Sequence, residues 1–261
     1  MDDASLPAER PASTYDRAWL RKHLAEERRS ASVLGEIREA IFGLQDGLVS
    51  TLAAVNLVAG ASSDRVPVLV AGIAVGLGGI FSMAAGEYMS SKSQREIFEA
   101  QIDGERDEVR ERPGEAEAEM AYMLEEDGLP HAESTAVAHT FASHPEVLLK
   151  TMIEKELGLG GGHAEGSPFQ GAMVMGASFG AGAAVPILVY LILPIAVATW
   201  AAVVATGAVL FGIGLLKSRW TRQAPIRSGL EILVLGAFAG IAGFFFGSLL
   251  PTILGVPTPP A

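Results

Sequence analysis

The sequence predicts an all-α membrane protein, with five transmembrane helices and a small helical domain inserted between the second and third. Three observations carry that prediction. Of the 261 residues, 49% are apolar and 30 are Gly, a bias few soluble domains share. Charge-free apolar runs recur that are long enough to cross a bilayer, which takes about 20 residues. The net charge of −11 is confined to one segment: residues 90–165 hold 7 Lys and Arg against 18 Asp and Glu, while the rest holds 12 of each. An acidic insert in an apolar chain argues against a nucleic-acid partner and suits cations. The absence of Cys excludes disulfides and thiolate metal sites.

Residues 1–39 read as an N-terminal arm and an interfacial helix. Positions 1–13 are rich in Pro, Ala and Asp and are expected to be disordered, with no signal-peptide apolar region. From 14 to 39, Trp19, Leu20, Leu24, Val33, Leu34 and Ile37 recur at helical spacing among charges, leading into the first span. Residues 40–89 hold spans 1 (40–61) and 2 (66–89). Residues 166–251 hold spans 3 to 5. The 48 residues from Phe169 to Leu216 carry no charge and are too long for one crossing, so Pro194 is the expected break. Span 5 covers about 229–250 and ends at Pro251, with 252–261 as a tail.

Orientation follows Lys and Arg. The arm has seven, and the link between spans 4 and 5 has Lys217, Arg219, Arg222 and Arg227. The link between spans 1 and 2 has only Arg65, while the 3–4 link and the tail have none. This predicts a cytoplasmic N-terminus and acidic domain, with the C-terminus outside. The compact chain points to a bacterial plasma membrane rather than a eukaryotic vacuole.

The acidic domain, 90–165, reads as successive helices. Ile97, Phe98, Ile102 and Val109 mark the first, over 90–112, and Pro113-Gly114 breaks it. Glu115–Glu126 forms the second, stopped by Asp127-Gly128-Leu129-Pro130. Shorter pieces follow at 131–143 and 145–157, and a Gly-rich return leads to span 3. Glu105 and Glu108 are three apart and share a helix face; Glu115 and Glu119, and Met152 and Glu156, are four apart on theirs. Three helices can thus aim carboxylates and one thioether at a common centre, where divalent cations would relieve the repulsion. Oxygen ligands suit Fe2+, Mn2+ and Mg2+. The alternative is a solvated acidic face. No Glu-x-x-His occurs, so the ferritin-type di-iron pattern is missing, and His131, His139, His144 and His163 share no ligand-like spacing.

Within the spans, Asp46 stands out. An ionisable group in hydrocarbon costs about 2.5 to 3.5 kcal/mol even on lenient insertion scales, so its presence points to function. Glu87 closes span 2, four residues after Met83, and both can face span 1. Gly72/Gly76 and Gly176/Gly180 permit close helix contact. No Walker motif is present, and nothing suggests an enzyme.

Four stretches together resemble one family: IREAIFGLQDGLVS across span 1, GIFSMAAGEYMSSKSQ at the end of span 2, the Glu-rich insert with its DGLP turn, and LLKTMIEKELGL before span 3. They make the chain similar to the vacuolar iron transporters over about residues 33–250. The resemblance implies a homodimer with five spans per subunit that exports Fe2+ and similar ions from the cytosol in exchange for protons. It implies no prosthetic group, the metal being substrate and domain ligand. It implies that Asp46 and Met83 line the path, and that Glu105, Glu108, Glu119, Met152 and Glu156 bind metal. The family has a further Glu three residues before the position of Glu119. Here that residue is Ala116, flanked by Glu115 and Glu117, so the expectation is either that one neighbour substitutes or that the site is weakened. Some related proteins carry an N-terminal ferritin-like domain, for which this arm is too short. The expected function is divalent metal export, Fe2+ first and Mn2+ second. Rival readings are a membrane-anchored metal buffer or sensor, and a non-metal exporter.

Overall fold

The computed structural model describes residues 16–61, 64–158, 167–221, 223–234 and 236–238, and among them every regular element is a helix. In chain order these are α1 (Arg17–Ala61), α2 (Arg65–Glu111), α3 (Pro113–Glu126), α4 (His131–Ala142), α5 (Pro145–Lys155), α6 (Pro168–Ile192) and α7 (Ile195–Thr221). Residues 225–234 and 236–238 are also helical. Among the described residues four helices are long and apolar enough to cross a membrane: Gly35–Gly60 of α1, α2, α6 and α7. The expected fifth span lies largely outside the described residues, as do the arm at 1–13 and His163.

Two expected boundaries are not breaks. The interfacial helix and span 1 are the single helix α1, and span 2 continues without interruption into the first acidic helix as α2. The change of composition near residue 90 alters solvent preference and leaves helix propensity intact, because Ser-Lys-Ser-Gln contains neither Gly nor Pro. At 47 residues α2 is about 70 Å long, more than twice the hydrocarbon thickness, so only its apolar first half is a span.

The chain divides into two compact units, Glu36–Ser93 with Ser167–Ala261, and Met1–Gly35 with Gln94–Gly166. In the first, the membrane unit, helices cross at very short range. A Cβ on Gly47 would collide with the Phe179 carbonyl oxygen, and one on Gly182 with that of Leu44. Only glycine permits this α1–α6 approach. Both Gly pairs noted in the sequence serve contacts within the chain. Gly72 and Gly76 meet Ile187, and Gly176 and Gly180 meet Ile80. Pro194 breaks the long apolar run as expected. Leu193 before it is extended (φ −98°, ψ 153°), the conformation a residue preceding proline prefers. The carbonyls freed at the end of α6 accept from Arg65, Leu191 at 3.3 Å and Leu193 at 3.1 Å. Nearby, the buried Tyr190 hydroxyl lies 2.9 Å from Asn56 Oδ1 and 3.0 Å from Thr199 Oγ1.

The acidic unit has its own core, in which Val109, Ala116, Met120, Leu124, Ala138, Leu148 and Met152 are buried together. Ala116, Met120 and Leu124 recur every four residues and form the inward stripe of α3. Fully burying a side chain such as Met120 or Leu148 stabilises by about 1.5–3 kcal/mol. The DGLP turn ends α3 as a Schellman motif: Gly128 takes φ +102°, its N–H donates to Glu125 O, and the Leu129 N–H donates to Leu124 O at 3.1 Å. Pro113 and Pro145 sit at the starts of α3 and α5, where a missing N–H costs nothing.

Candidate metal centre

Within the acidic unit, α2 ends at Glu111 and α3 begins at Pro113, so one residue joins the two carboxylate-bearing helices. The tight joint brings Glu108, Glu115 and Glu119 together. One carboxylate oxygen from each lies within 4.8 Å of the others. An ion with metal–oxygen bonds of about 2.1 Å holds its ligand atoms about 3 to 4 Å apart, so small side-chain rotations suffice to close the set.

Glu105 and Glu156 join the same group. Glu105 lies among the charges of Glu156 and Glu108, and Glu119 among those of Glu108, Glu156 and Glu115. Burial first, then these like charges, push Glu105 upward, and Glu119 is pushed up to about 7. Glu105 Oε2 and Glu108 Oε1 are buried with no N–H or O–H donor. A depression of about 570 Å3 is lined by Glu115, Glu119, Glu126 and Glu156 together with Lys155. Clustered, partly dehydrated oxygens without enough donors favour either protons or a multivalent cation.

Of the residues expected at this centre, Met152 is placed differently from the carboxylates, as a fully buried member of the unit's core. The two neighbours of Ala116 separate cleanly. Glu115 faces Glu119 and Glu108, whereas Glu117 turns away and pairs with His139 Nδ1 at 2.9 Å. His131 likewise pairs with Glu125 at 2.6 Å, and His144 is exposed.

In the membrane unit, Asp46 and Met83 are half-buried on α1 and α2. Glu87 is also half-buried and accepts a hydrogen bond from the Ser91 hydroxyl at 2.6 Å. One carboxylate escaped the sequence reading. Glu39 lies among the charges of Glu87, Arg38 and Glu36, has a buried Oε2 without a donor, and packs where a Cβ on Gly171 would be 3.0 Å away. It lies seven residues before Asp46 and thus on the same helix face, a spacing that could have revealed it. Glu36 beside it accepts from Gln170 at 2.6 Å.

A helical bundle with an ionisable residue in one span and a carboxylate-rich helical unit belongs to the class of polytopic membrane transporters. The VIT family profile matches residues 37–248, and the chain belongs to that family. It is similar to vacuolar iron transporter 1 of Arabidopsis thaliana, 30% identical over 230 residues, covering 88% of this chain and 91% of that protein. Vacuolar iron transporter 2 of Oryza sativa subsp. japonica is 31% identical over 221 residues, covering 83% and 88%. A vacuolar iron transporter of Toxoplasma gondii is 27% identical over 235 residues, covering 84% and 76%. These relatives are transporters, not enzymes.

Proposed function

We propose that this protein exports divalent metal, Fe2+ first and Mn2+ second, from the cytosol by exchange for protons, working as a homodimer with five spans per subunit. The observation that carries the reading is the family match over 37–248, which takes in both Asp46 and the converging carboxylates. Glu105, Glu108, Glu115, Glu119 and Glu156, with Met152, are the metal ligands of a cytoplasmic capture unit; the N-terminus is cytoplasmic and the C-terminus outside. Asp46, Met83 and Glu87 form the path, and Glu39 joins them as an acidic group on the face of Asp46.

The chemistry follows from the cost of an uncompensated charge in a low-dielectric setting. Asp46 is neutralised either by a proton or by a cation, so the arrival of one favours departure of the other. The thioether of Met83 adds a soft ligand, which favours Fe2+ over Mg2+ or Ca2+. A membrane-anchored buffer would need the acidic unit but no ionisable residue in its spans, and Asp46 therefore favours transport.

The test is Asp46→Asn, which keeps size and removes charge, in proteoliposomes at matched reconstitution. The variant is expected to bind metal as the wild type does and to lose most Fe2+ flux, with Met83→Ala less impaired. Wild-type flux in Asp46→Asn overturns the pathway assignment and supports the anchored buffer.

A further inference from the structure

Arg112 is the single residue between α2 and α3. Its backbone belongs to both helices, because its N–H donates to Glu108 O at 2.7 Å and its carbonyl accepts from Glu115 N at 2.9 Å. Its guanidinium spans the same joint. Nη2 donates to Glu108 Oε2 at 2.9 Å and Nη1 to Glu115 Oε2 at 2.7 Å. The fork therefore holds two of the three converging carboxylates, one from each ligand-bearing helix. The remaining Glu108 oxygen is buried and has no donor.

We infer that Arg112 is the resident cation of the metal-free centre, and that a divalent ion must displace its guanidinium from Glu108 and Glu115 in order to bind. This rests on the reading of the cluster as a metal centre and adds to it a residue that sets the centre's affinity. The reasoning is electrostatic. A guanidinium offers five donors in a rigid fork and cannot lose its charge, so it neutralises paired carboxylates without competing protonation. It draws Glu108 Oε2 and Glu115 Oε2 toward itself, contributes no lone pair, and sets a positive charge beside the place an ion would take, so fork and ion oppose each other at these two carboxylates. Arg112 is also half-exposed, at 55%, against 18% for Glu108, so it can leave for water while Glu108 stays; Glu115, at 48%, is nearly as open to solvent as the guanidinium. The exchange keeps the centre from standing empty and highly charged. It also raises the concentration at which metal binds, which suits a centre that must release its ion.

A purely structural role predicts the opposite result on substitution. If Arg112 only braces the joint, removing it loosens the ligand set and weakens binding. If it competes, removing it tightens binding.

The experiment is Mn2+ calorimetry on the full-length protein in mild detergent at pH 8, comparing the wild type with Arg112→Gln, Arg112→Lys and Glu119→Gln. Arg112→Gln is expected to bind Mn2+ about three- to tenfold tighter, the scale of two exposed ion pairs. Arg112→Lys, which keeps charge but loses the fork, is expected to fall between it and the wild type. Should Arg112→Gln fail to fold, Arg112→Lys alone carries the test, and tightening supports the inference. Weaker or unchanged binding in the Arg112 variants, with weaker binding in Glu119→Gln, overturns the inference and leaves the metal centre standing. Unchanged binding in Glu119→Gln overturns the metal centre, and the inference with it.

Discussion

Glu119 links the acidic unit to pH. Burial and the charges of Glu108, Glu156 and Glu115 push it up to about 7, from an ordinary 4.5. The native state thus holds this proton more tightly than the unfolded chain does. The resulting stability is fully present below about 4.5 and is lost as pH rises through 7. The metal-free protein is expected to melt at a lower temperature at pH 8 than at pH 5. Saturating Mn2+ should restore the loss, and Glu119→Gln should reduce it; an equal drop in that variant would exclude Glu119 as the source. Near pH 6.5 metal must also expel this proton. Binding heats in two buffers of different ionisation enthalpy should differ by up to about one proton per ion. At the neighbouring positions, Glu115→Gln should weaken Mn2+ binding, whereas Glu117→Gln should leave it unchanged, because Glu117 is engaged with His139. The sequence showed both glutamates beside Ala116 without separating them. The helical phase of α3, fixed by Ala116, Met120 and Leu124 in the core, decides between them. Arg112 was hidden for a related reason: counting charges records its sign but not that its fork closes a joint between two helices.

Among the elements, the sequence made legible the breaks that proline and the DGLP turn impose. Pro194 split the long apolar run, Pro113 separated α2 from α3, and DGLP ended α3. Less legible were continuities, since the passage from apolar to charged composition near residue 90 looked like a boundary and is helical throughout. Glu39 was missed because it sits one residue before the apolar stretch that defined span 1. The role of an individual glycine depends on which helix packs against it, which composition does not record. Gly47 and Gly78 both lie in spans, yet a Cβ on Gly47 would collide with the Phe179 backbone, while one on Gly78 would meet nothing within 4 Å. Gly47→Ala is therefore expected to cost about 1–3 kcal/mol through overpacking. Gly78→Ala should be tolerated. Thermal melting in detergent checks the pair, and equal melting temperatures would count against the α1–α6 crossing.

At the scale of the whole molecule, the exposed apolar residues of α2, Val66, Val70, Ile73, Leu77 and Phe81, recur every three or four positions and need either lipid or a second copy against them. The proposed homodimer predicts a protein mass of twice 27.3 kDa by light scattering corrected for detergent. A single-chain mass in mild detergent would contradict it. The central claim, however, is coupled transport, and one measurement addresses it most directly. The purified wild-type protein is reconstituted into liposomes with an acidic interior, and Fe2+ entry is followed under anaerobic conditions with and without the pH gradient. Fe2+ uptake that accelerates with the gradient, accompanied by alkalinisation of the lumen, is the predicted result. Fe2+ bound to the protein but never delivered to the lumen, with or without the gradient, would contradict the account.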